Sequence, residues 1–97
     1  MESTTLRIEV FGRVQGVGFR DSLAAAATRL DVDGWVRNRN TGAVEAVVRG
    51  APASCDALVQ WAWQGPPTAL VERVEVRAAT ATEAAEVRPG FRRLATR

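Results

Sequence analysis

The apolar residues of this chain change their repeat between Gly12 and Phe19, and that change fixes how the first third must fold. Leu6, Ile8 and Val10 alternate with Arg7, Glu9 and Phe11, the two-residue period of a strand with one buried face. From Phe19 the period lengthens: Phe19, Leu23, Ala26, Ala27 and Leu30 share one face of a helix whose first turn carries Asp21 and Ser22. Between them runs GRVQGVGFR, Gly12 to Arg20, with glycines at 12, 16 and 18. A glycine-rich turn at the mouth of a helix aims several N–H groups at one spot, and Arg20 adds a planar cationic fork. That combination suits a phosphoryl group.

The rest of the chain restricts the topology. Asp31 to Gly34 ends the helix, Trp35 to Asn38 forms a second strand, and Thr41 with Gly42 turns into a third over Ala43 to Arg49. Gly50, Ala51 and Pro52 open a second helix with the stripe Cys55, Leu58, Val59 and Ala62, stopped by Gly65, Pro66 and Pro67. Leu70 to Thr80 is a fourth strand, and Phe91 to Ala95 a short fifth after the polar stretch Thr82 to Gly90. The order is βαββαβ with an extra β. A strand-helix-strand unit crosses over right-handed, and a hairpin strand slots between its two parallel strands, giving a split βαβ sheet with both helices on one face. Strands one and two then end at the same sheet edge, about 10 Å apart across two inter-strand spacings. Arg20 after the first and Asn38 at the end of the second can share one ligand.

Composition removes most other chemistries. A chain of 97 residues has room for one domain, 1–97, expected to carry a flexible tail over residues 1–5. Its makeup, 46% apolar and 25% charged, is that of an ordinary soluble protein, with no apolar run of membrane length. The cytoplasm is the expected compartment, with no membrane contact. Cys55 lies on an apolar stripe and reads as a small buried hydrophobe, not a nucleophile. The sequence pI of 9.9 overstates the basicity, because all 13 basic residues are arginine and the formal net charge is only +2. There is no histidine. Catalysis therefore runs without imidazole as base, ligand or nucleophile partner.

GRVQGVGFR, followed by GWVRN at 34–38, GAVEAVV at 42–48 and GPPTALVERVEV at 65–76, resembles the acylphosphatase family over nearly the whole chain. The resemblance implies an α+β fold, the ferredoxin-like α/β sandwich with a mostly antiparallel sheet. It also implies a metal-free hydrolase, without cofactor, that splits carboxyl-phosphate mixed anhydrides into carboxylate and inorganic phosphate. In that family the last arginine of the loop motif binds phosphate and the asparagine of the second motif positions water; these match Arg20 and Asn38.

The residues support these roles chemically. Backbone N–H groups of Gln15, Gly16, Val17, Gly18, Phe19 and Arg20 are the candidate lining of the socket, favoured by the dipole of the following helix. Asn38 cannot act as a base, but an acyl phosphate expels a weakly basic carboxylate through a loose transition state, so positioning the water suffices. The expected partner is a small acyl phosphate, with inorganic phosphate as product and competitive inhibitor; nucleic acid is not expected, and a monomer is. Two alternatives stand beside this: a non-catalytic anion- or RNA-binding module on the same fold, and hydrolysis of carbamoyl phosphate. Sheets of this kind that bind RNA use exposed aromatics on central strands, which this chain lacks in the expected motif.

Taken singly, the same residues have plainer readings: a glycine turn as a connection, Arg20 as a solvated charge, Asn38 as a turn residue. Arg37 and Arg39 alternate away from Asn38 and read as exposed charges that raise the local anion concentration. Asp21, beside Arg20, suits a helix first turn and leaves two outcomes open, pairing with Arg20 or repelling an anion. Trp35, Trp61 and Trp63 read as packing residues.

Overall fold

The computed structural model describes residues 2–97. Strand β1 (Thr4–Arg13) sends Leu6, Ile8 and Val10 into the core, as the alternation requires. It begins earlier than expected: Thr4 and Thr5 pair with Gly50 and Arg49, and the Thr5 carbonyl accepts from Ala79 N at 3.0 Å. These β-branched residues extend the ladder instead of forming a tail, and Met1 lies outside the described residues.

Helix α1 (Phe19–Arg29) buries Phe19, Leu23, Ala26 and Ala27, with Asp21 in its first turn and Arg29 in its last. Both charges complement the helix dipole. Strands β2 (Asp33–Asn38) and β3 (Val44–Gly50) form the hairpin. Helix α2 (Pro52–Gln64) starts at proline and ends where Gly65 N donates back to the Trp61 carbonyl at 2.8 Å. Strand β4 (Leu70–Ala78) stops two residues short of Thr80 because Thr80 caps a short helix, α3 (Ala81–Ala85). Thr80 and Glu83 form a reciprocal capping box where the expected fourth strand meets the polar stretch after it. Strand β5 is only Phe91–Arg93.

The sheet order is β4-β1-β3-β2-β5. β3 lies antiparallel between β1 and β2, and β5 joins β2 in parallel. β1 and β2 therefore run the same way with one strand between them, which is the placement the site needs. The main core lies between this sheet and the helices α1 and α2: Ile8, Val36, Val44 and Val48 meet Leu23, Ala27, Cys55 and Leu58, all fully buried. Phe19 meets the edge of Trp61, with ring centroids 5.4 Å apart. Trp35 packs on the other sheet face with Val47 and Val87, while Trp63 is 49% exposed and does not serve as the packing residue expected.

Candidate active site

The loop between β1 and α1 is shaped by Gly16 and Gly18, at φ 73° and 78°, in the left-handed region that favours glycine. Nothing lies within 4 Å of where a Cβ would stand on either, so the demand is for the curl itself and for open space in front of it. Gly18 is the N-cap of α1, and no side chain caps that end. Among the described residues, the backbone N–H groups of residues 15 to 20 donate to no protein acceptor. Unpaired donors concentrated at a helix N-terminus are matched by an anion.

The loop borders a cavity of about 100 Å³ lined by Val14, Gly16, Gly18, Phe19, Arg20, Asp21 and Asn38. Six arginines elsewhere, Arg7, Arg37, Arg39, Arg73, Arg77 and Arg93, are committed to carboxylates. Arg20 has no carboxylate within ion-pair distance among the described residues. Its fork remains available for two parallel hydrogen bonds to one tetrahedral anion.

Asn38 reaches the cavity from β2, where alternation sends Val36 and Asn38 to the helix side. Its backbone is fixed by pairing with Val44 and by Arg97 N, which donates to its carbonyl at 3.0 Å. Its side-chain Oδ1 is buried and accepts no hydrogen bond among the described residues. A buried orphan acceptor is costly and calls for a partner. Of the loop residues expected to line the socket, Gly16, Gly18, Phe19 and Arg20 border this cavity, and Gln15 and Val17 keep N–H groups without a protein acceptor among the described residues. Their side chain and carbonyl are engaged elsewhere: Gln15 Nε2 donates to the carbonyls of Arg39 and Ala43, and the Val17 carbonyl accepts from Thr68 Oγ1.

Arg37 and Arg39 are not the free charges expected. Both donate to Glu45 on the sheet face away from the helices, and the Arg37 side chain is only 13% exposed. Glu45, 5% exposed, also accepts two hydrogen bonds from Arg7, which reaches Glu9 as well. Burial alone would raise the Glu45 pKa; hydrogen bonds from Arg7 and Arg37 outweigh it and hold the carboxyl below its ordinary range. The same face offers no aromatic platform on β3, and Phe11 lies under the Arg73 guanidinium, 4.1 Å from its ring centre. Asp21 pairs with Arg93 of β5, not with Arg20. Cys55 is fully buried, and burial pushes its thiol up, away from nucleophilic chemistry. Among the described residues no three His, Cys, Asp or Glu side chains converge on a metal-sized site, and no helix is long and apolar enough to cross a membrane.

Fold and site together define a class: an α+β sandwich with a cavity at one sheet edge, bordered by a glycine-rich loop, an arginine and an asparagine. The acylphosphatase family model matches residues 6–93. An acylphosphatase of Thiobacillus denitrificans is 58% identical over 72 residues, 74% of this chain and 81% of the relative. The structure of an acylphosphatase from Coxiella burnetii superposes with a TM-score of 0.86 at 37% identity, over 95% of this chain and 93% of that one. The Bacillus subtilis acylphosphatase structure gives 0.84 at 32% identity, over 93% and 97% of the two chains. The chain belongs to the acylphosphatase family.

Proposed function

We propose that this enzyme hydrolyses acyl phosphates by in-line attack of a water held by Asn38 on a phosphoryl group held by Arg20 and the backbone of the 15–20 loop. The observation that carries the reading is the pairing of Asn38 Oδ1, buried and without a donor, with the uncommitted Arg20 on one cavity. Oδ1 accepts a hydrogen bond from the water; the amide NH₂ donates to a phosphoryl oxygen and so aligns nucleophile and phosphorus. Arg20 and the loop N–H groups neutralise the equatorial oxygens, where charge resides in a loose transition state. The carboxylate leaves with its electron pair and needs no acid, since it is a weak base. Water delivers its proton to phosphate or solvent after the P–O bond has broken.

Inorganic phosphate, the product, occupies the same socket and competes with substrate. One chain supplies every group named, so the enzyme works as a monomer. We assign it to the cytoplasm, where a lone buried cysteine stays reduced.

Hydrolysis of benzoyl phosphate in ¹⁸O-water tests the bond cleaved. Attack at phosphorus puts the label in inorganic phosphate; label in benzoate means attack at the carbonyl and overturns the mechanism. Parallel assays of acetyl and carbamoyl phosphate, with and without chelator, rank the substrates.

A further inference from the structure

We propose that the side chain of Gln15 is a positioning residue for hydrolysis: it sets the Asn38 amide in register with the phosphoryl socket. This deepens the reading above and rests on it. Gln15 immediately precedes Gly16 in the socket loop, and Asn38 immediately precedes the β2–β3 turn. Gln15 Nε2 donates to the Arg39 carbonyl at 2.7 Å and to the Ala43 carbonyl at 2.9 Å. Those two carbonyls already close the turn, accepting from Gly42 N at 3.0 Å and Arg39 N at 2.8 Å. One NH₂ group, with two protons for two acceptors, thus ties the loop to both limbs of the hairpin.

Among the described residues the loop has one other side-chain anchor, Thr68 Oγ1 on the Val17 carbonyl, and it leads to the α2–β4 connection, away from Asn38. Gly16 and Gly18 supply no side chains to pack. The Gln15 bridge is the direct polar link between the phosphate half of the site and the water half. A direct role of this side chain on substrate does not fit, because both protons of its amide are engaged by backbone carbonyls. Reacting groups misplaced by about 1 Å lose on the order of a hundredfold in rate, whereas anion binding by the loop tolerates such a shift.

The test is Gln15→Met, close in length but without donors, measured alone and with Asn38→Ala. Expected is a loss of about tenfold in kcat, with the inhibition constant for inorganic phosphate within about threefold of wild type, and no further loss when Gln15→Met is added to Asn38→Ala. Wild-type kcat in Gln15→Met, phosphate affinity that falls in step with kcat, or a full tenfold loss on top of Asn38→Ala would each overturn the proposal. Wild-type turnover in Asn38→Ala overturns the reading of the site itself, and this inference with it. Gln15→Glu serves where Gln15→Met is too unstable: its carboxylate faces two carbonyls without a proton, so kcat relative to wild type should recover on acidification into the carboxyl range. A ratio independent of pH in Gln15→Glu counts against the bridge.

Discussion

Two faces of one sheet hold arginines in opposite states. On the face away from the helices, Arg7, Arg37 and Arg39 converge on Glu45, and every oxygen of that carboxylate is occupied. At the sheet edge beneath α1, among the described residues, Arg20 has no carboxylate partner, the loop N–H groups have no acceptor, and Asn38 Oδ1 has no donor. A saturated cluster has nothing left for a ligand and acts on the fold. An unsaturated one is held open by the surrounding structure and acts on whatever completes it. Arg37 and Asn38 are neighbours in sequence, yet strand alternation sends one to each face.

The sharpest way to break this contrast is to remove Arg20. Arg20→Gln should lower kcat/KM by about a thousandfold and weaken inhibition by phosphate in parallel, with thermal stability nearly unchanged; steady-state kinetics and a melt decide it. The converse holds for Glu45. Glu45→Ala strands two or three arginine charges on a mostly covered face and should cost about 3 kcal/mol in urea unfolding, while kcat of the folded enzyme stays within a few fold. A large loss of turnover at unchanged stability would show that the two faces are not separate.

Smaller effects sharpen the comparison. Asp21 lines the cavity but is neutralised from β5 by Arg93. Asp21→Asn should tighten phosphate inhibition by a few fold, about 1 kcal/mol at most in so exposed a place. The smallest effect concerns acid stability. The hydrogen bond from Arg77 is the main cause that holds Glu83 at about 2, against an ordinary 4.5. A depressed folded pKa gives stability that is present above the ordinary value and is lost as pH falls through the depressed one. The stability gap between wild type and Glu83→Gln should therefore close between pH 4.5 and about 2. Glu45, also depressed, loses its contribution in the same direction.

Much of this arrangement was legible in the sequence, and the misses have physical reasons. The period change at Gly12 to Phe19 located β1, the loop and α1, and the hairpin logic put Asn38 at the same edge as Arg20. α3 escaped because a capping box, Thr80 to Glu83, stabilises one turn too short to show a hydrophobic period. The roles of Arg37 and Arg39 needed register. Only the pairing of Arg37 and Glu9 opposite Glu45 reveals a shared partner, and the one available signal was a glutamate inside the apolar run of β3. Gln15 gave none, since its acceptors are backbone carbonyls that a sequence does not display. Asp21 and Arg93 meet because β5 docks parallel to β2, which residue patterning leaves open.

The division of labour between Arg20 and Asn38 is tested most directly by kcat and the phosphate inhibition constant of Asn38→Ala, determined side by side. If Asn38 holds the water and Arg20 the phosphoryl group, kcat falls about a hundredfold, close to 3 kcal/mol, and phosphate still binds within about threefold of wild type. Turnover within a few fold of wild type, or phosphate binding lost in proportion to kcat, contradicts it.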